Sequence, residues 1–319
     1  MSRRDGFSSW LAPHFARFVA IKRACGAQYQ SGTRILGAFD RHVCEQAPRP
    51  PLGRRALLTY LDTLGHLCDR SRENVVTVVW PAVAFAARHG ARVGPCPARP
   101  SRPPISLRLR QPRILSVAEI RAVLNASREL PPAGGLRAAT CATLFGLLWA
   151  TGLRIGEALA LHVGDLDRAD RVLTVRRGKF GKSRVLPLRA STVAAIERYL
   201  RNPKRPMGTA PDAPIFVSLR QRRLSHPAAA GSFGQACSAA GIVGRVRLHD
   251  LRHSFAVQRV ATWYATRRDF QVLLPALSTY LGHVSVENTR TYLRANGLLL
   301  EQACKLFETS TAGLDEVLS

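Results

Sequence analysis

The sequence predicts a mainly α-helical chain in two domains with one small antiparallel β-sheet, an α+β fold. Three observations carry that expectation. Apolar residues recur three and four apart through most of the chain, the period of a helix with one buried face. Only residues 171–188 alternate apolar and polar positions around a glycine-rich turn. Between Gly94 and Pro112, prolines are dense enough to block helices and leave a semi-extended connector.

Taken in order, residues 10 to about 92 read as four helices: WLAPHFARFVAIKRACG, YQSGTRILGAFDRHVCEQ, LGRRALLTYLDTLGHL and RENVVTVVWPAVAFAARHG. Glycines, prolines and polar turns separate them, and arginines fill their polar faces. This gives a first domain over 1–105, ending in the proline-rich linker, and a second over 106–319. The second opens at SVAEIRAVLNAS, where Ser116 and Glu119 have capping-box spacing. A buried helix through GLLWATG follows, then Arg154, Glu157 and the apolar ALAL. The hairpin RVLTVRR–GKFG–SRVLPL comes next, then the helix STVAAIERYL, a short strand at PIFVS and the helix HPAAAGSFGQACSAAG. An amphipathic helix over 297–308 closes the pattern.

Composition bounds the partner. The chain has 319 residues, 46% of them hydrophobic, which suffices for packed cores. A net charge of +26 points to a polyanion, nucleic acid first among them. Lysine occurs only at 22, 179, 182, 204 and 305, so Lys179 and Lys182 stand out in an arginine-rich background. Lysine can release a proton where arginine cannot, which suits a cationic general acid. The seven cysteines form no CxxC pair and read as reduced thiols, neither disulfide framework nor zinc site. With neither a signal core nor a run of transmembrane length, the expected setting is the cytoplasm, at the nucleoid, with no membrane partner.

The stretch from Arg247 to Arg294 concentrates the chemistry. His249, Arg252 and His253 fall within five residues, and a histidine and arginine three apart share a helix face. Histidine moves protons near neutral pH, arginine forks onto phosphate oxygens, and a tyrosine hydroxyl can attack as a nucleophile. GKFGKS is not a phosphate loop, because Arg176 stands where that motif needs glycine and a strand follows. His249 and His253 have metal-ligand spacing, but no glutamate is placed as in zinc proteases, and a packed or capping role for His253 is the duller alternative.

ATGLRIGEALAL, RGKFGKSRVLPL, HDLRHSFA and LGHVSVENTRTYLR, in this order, resemble the tyrosine recombinases, the phage integrase family, in their XerC/XerD-like form. The resemblance covers Leu115 to Phe307 and implies a catalytic domain with a C-terminal interaction helix. The N-terminal helices resemble that family's core-binding, DNA-clamping domain. It implies a site-specific recombinase of integrase or transposase type, which cuts and rejoins DNA through a 3′-phosphotyrosyl intermediate without ATP, metal or cofactor. Arg154 and Arg252 would hold the scissile phosphate and Lys179 would protonate the leaving 5′-oxygen, with Lys182 the second choice. His249 would be the general acid/base, His283 would hydrogen-bond the phosphate and Tyr292 would attack. Glu157 would orient the arginine region, while Tyr264 and Tyr280 would pack. Double-stranded DNA and a homotetramer on two DNA sites are the implied partners, with partner recombinases or accessory proteins as further candidates. A type IB topoisomerase would share the chemistry but need no site, and a non-catalytic DNA-binding regulator would have little reason to hold all six residues. Between Arg252 and His283 the chain runs about two helical turns longer than the family pattern, through TWYATRRDFQVLLPA.

Overall fold

In a computed structural model of the chain, the described residues are 6–94, 112–176, 183–205, 207–266 and 268–282. They fall into two compact units, one within Met1–Arg110 and the other within Gln111–Ser319.

The first unit holds α1 (Ala12–Ala24), α2 (Gln30–Gln46), α3 (Arg54–Thr63) and α4 (Asp69–Arg88). The periodic apolar positions are those buried: Phe15 and Val19 of α1, Leu36, Phe39 and Val43 of α2, Leu57 and Tyr60 of α3, Val79 and Val83 of α4. Phe39 meets Tyr60 edge-on at 4.8 Å between ring centroids. Asp40 is fully buried and accepts hydrogen bonds from the Ser9 hydroxyl and the Ser8 backbone, both at 2.5 Å, tying the residues before α1 onto α2. Helix α4 runs through Pro81, which costs about 3 kcal/mol inside a helix. Burial of Val79, Trp80, Ala82 and Val83 around it offsets that loss.

The second unit begins with α5 (Val117–Arg128), whose cap forms as its sequence requires. Glu119 N–H donates to Ser116 Oγ at 3.1 Å and Ser116 N–H to a Glu119 oxygen at 2.8 Å. Helix α6 (Leu136–Thr151) buries Leu144, Phe145, Leu147 and Leu148. It stops at Gly152, in the left-handed region at φ +63. Next come α7 (Ile155–Ala160) and a three-stranded antiparallel sheet of β1 (Leu166–Asp167), β2 (Val172–Val175) and β3 (Arg184–Pro187), in that order. The predicted hairpin is β2–β3, with Leu173 opposite Leu186 and both buried. Strand β1 is additional. PIFVS, read as a strand, makes only isolated bridges at Pro214 and Val217, although Ile215 and Phe216 are fully buried.

Helices α8 (Ala190–Leu200), α9 (His226–Ala239), α10 (Leu248–Ala265) and α11 (Phe270–Leu281) complete the unit. The long segment after Arg252 extends α10 and supplies α11, with only residues 266–269 between them. Ser254 of α10 ties back to the unit's start, its hydroxyl accepting from Leu115 N–H at 2.8 Å. No helix among the described residues is long and apolar enough to cross a membrane. No group of three metal-ligating side chains occurs among them. The helix expected over 297–308 lies outside the described residues.

Candidate active site

Of the six residues the sequence nominates, Arg154, His249 and Arg252 are described; Lys179, His283 and Tyr292 lie outside the described residues, as does Lys182. The three in view converge, although up to 98 positions separate them.

Arg154 is placed by the stop of one helix and the start of another. After Gly152 reverses the chain, Leu153 buries and Arg154 takes the extended conformation that precedes α7. Glu157, three residues on, accepts the Arg154 backbone N–H at 3.1 Å and Arg154 Nη1 at 2.9 Å. Arg154 Nη2 donates to the Gly282 carbonyl at 3.0 Å. A quarter of the side chain stays exposed.

Arg252 is buried, with 1% of its surface accessible. Its Nη1 donates to the Gly152 carbonyl and its Nη2 to the Leu281 carbonyl, each at 2.8 Å. One guanidinium thus bridges the C-terminal ends of α6 and α11, where helix carbonyls carry partial negative charge. Those contacts offset part of the cost of burying a cation. Any side chain at 152 would break the arrangement, since its Cβ would come within 2.5 Å of Phe255 and 2.9 Å of Leu281.

His249 lies in the first turn of α10, one turn before Arg252. Arg247 precedes the helix, and its backbone N–H donates to the buried Asp250 at 2.8 Å. The His249 side chain is exposed to solvent, yet enough protein packs around it to disfavour the cation. Burial comes first and the charge of Arg252 second in holding its pKa below the usual histidine value; Arg247 and Arg154 add to this against an opposing Asp250. These causes favour the neutral imidazole, the form able to accept a proton. His253 meets it edge-on at 4.6 Å, a packing contact between rings.

The sequence reading missed Arg184. This residue opens β3, and its Nη1 and Nη2 donate to the two Glu157 oxygens at 3.1 and 2.8 Å while Nε donates to the Tyr280 carbonyl at 3.0 Å. Glu157 therefore sits between two arginines. Burial alone would raise its carboxyl, but the hydrogen bonds and charge of Arg184, with those from Arg154, hold it at about 2. Its expected orienting role has this geometry behind it. Tyr280, read as a packing residue, stacks on Phe255 with centroids 5.9 Å apart.

Residues 113–297 match the phage integrase family. The chain is 34% identical over 301 residues to a Sinorhizobium fredii protein named integrase/recombinase y4rE, covering 94% of this chain and 96% of that one. It is also 34% identical over 200 residues to the tyrosine recombinase XerD of Mycobacterium tuberculosis, 61% of this chain and 60% of the relative. Among solved structures, XerH site-specific recombinase bound to palindromic difH substrate in a post-cleavage complex shares the fold. Its TM-score is 0.64 at 18% identity, over 87% of this chain and 80% of that one.

Proposed function

The chain belongs to the phage integrase family, the tyrosine recombinases, and from that premise we propose that it is a site-specific DNA recombinase that cuts and rejoins strands through a 3′-phosphotyrosyl link. The observation that carries the reading is the meeting of Arg154 and Arg252 at the ends of α6 and α11, with His249 one helical turn before Arg252. Strand exchange at a phosphodiester needs charge stabilisation at phosphorus and proton transfer at two oxygens. Arg154 and Arg252 supply the first, as fixed cations where negative charge develops. Tyr292 Oη attacks phosphorus and its proton passes to His249, while the bond to the 5′-oxygen breaks. Lys179 protonates that oxygen, and His283 donates a hydrogen bond to a non-bridging oxygen. Rejoining is the reverse reaction with a new 5′-hydroxyl, so the bond energy is kept in the protein–DNA link.

The first unit, with its excess of basic residues, adds phosphate contacts to those of the catalytic unit and so clamps the duplex, and a tetramer on two sites forms the working assembly. The enzyme works in the cytoplasm, at the nucleoid. The experiment uses a pool of random-sequence duplexes, each carrying a nick that lets the cut strand end diffuse away. Wild type is expected to accumulate a covalent adduct on a recurring sequence; Tyr292→Phe binds that duplex with unchanged affinity and forms none. An adduct with the Phe variant, or none with wild type on any duplex, overturns the reading.

A further inference from the structure

We infer that Arg184 is a positioning residue for strand cleavage, acting through Glu157 on Arg154 and through the Tyr280 carbonyl on the last turn of α11; this rests on the function proposed above. Three successive carbonyls at the end of α11 are each held by a different arginine. Tyr280 O accepts from Arg184, Leu281 O from Arg252 and Gly282 O from Arg154. His283 is the next residue. Guanidiniums from β3, from α10 and from the residue before α7 thus hold one helix end.

Arg184 differs from the other two in what else it does. Both its terminal nitrogens face the two oxygens of Glu157, the forked geometry that fixes a carboxylate in plane as well as in distance. The same carboxylate receives Arg154. Arg184 and Glu157 are both nearly buried, at 13% and 8% exposure, so the pair is shielded from water. Close fit at Gly282 supports the same conclusion. A Cβ there would lie 2.8 Å from Arg184 Nη1, so glycine at 282 lets the guanidinium lie against the end of α11. The chain Arg184–Glu157–Arg154–Gly282 closes back on Arg184 through the adjoining carbonyls of 280–282. In this proposal Arg184 makes no contact with the phosphate; its effect on chemistry passes through Glu157 and Arg154.

The test uses the full chain and the duplex captured by wild type above, comparing Arg184→Lys, Glu157→Gln and the double variant. Lysine keeps the charge and stem but lacks the fork. Each single variant is expected to bind within about twofold of wild-type affinity while single-turnover adduct formation slows about 100-fold, the scale of a misplaced catalytic group. Because both act in one chain of contacts, the double variant is no slower than the slower single. A second substrate carries sulfur at the leaving 5′ position, which departs with little need of a proton donor. It speeds a Lys179→Ala variant and leaves Arg184→Lys as slow as before, because Arg184 serves the phosphate side. Multiplicative losses in the double variant, a loss confined to affinity, or rescue by the sulfur substrate each overturn the inference. Should Arg184→Lys fail to fold by thermal melting, Glu157→Gln carries the same expectations for rate, affinity and sulfur. If wild type itself forms no Tyr292-dependent adduct, the functional reading falls first and this inference with it.

Discussion

At the scale of single residues, Glu157 makes the clearest thermodynamic statement. Its carboxyl sits at about 2 in the folded chain against 4.5 for the free group, so the folded state holds its proton more weakly than the unfolded state does. Stability from this group is fully present above about pH 4.5 and is lost as pH falls from there through about 2. The shift corresponds to roughly 3 kcal/mol. Urea midpoints of wild type should therefore fall more steeply over that window than those of Glu157→Gln, which has no proton to gain. Equal slopes for the two proteins would refute the pairing. Gly152 gives a second residue-scale expectation. Alanine there combines a strained left-handed backbone with a Cβ 2.5 Å from Phe255, at a cost of about 3 kcal/mol. Since Gly152 O also holds Arg252, Gly152→Ala should lower the melting temperature and slow DNA cleavage together. Cleavage slowed with no thermal loss would contradict the steric argument.

Elements explain how much of this was legible in the sequence. The four helices of the first unit follow directly from their apolar spacing because each buries a single face against the others. The α5 cap was equally legible, since Ser116 and Glu119 each bond the other's backbone and a further partner, Arg113, is six residues away from Glu119. Ser116→Ala should cost about 1 kcal/mol and leave cleavage unchanged, read from paired urea melts and adduct assays. Local pattern fails where pairing is decided at a distance. PIFVS has a strand's composition, yet its neighbours allow only isolated bridges, and β1, two residues long, is too short to carry any alternation. Arg154, His249 and Arg252 could be nominated because they sit in short motifs with recognisable neighbours. Arg184 could not: its partners Glu157 and Tyr280 lie 27 and 96 residues away. One more arginine in an arginine-rich chain carries no local signal.

For the whole molecule, the governing quantity is charge. The excess of basic over acidic residues is 12 in 1–110 and 14 in 111–319, so neither unit accounts for the +26 alone. If both units lie along a duplex, each arginine that neutralises a phosphate releases counterions, and the logarithm of affinity falls linearly with the logarithm of salt. With 6–10 such contacts, affinity for a duplex of arbitrary sequence should drop about 10³- to 10⁵-fold between 50 and 200 mM salt. The first unit's share can be read in the intact chain. Arg34 and Arg41 are exposed and seven apart on α2, opposite the buried Leu36, Phe39 and Val43. Replacing both with glutamine leaves the core untouched and should flatten the salt slope by about 0.9 per residue, in equilibrium binding measured by anisotropy. An unchanged slope would mean that this face of the first unit does not meet DNA. A flattened slope with wild-type cleavage of the bound duplex would divide the labour, with the first unit holding the polyanion while the buried arginines of the second act on one phosphate.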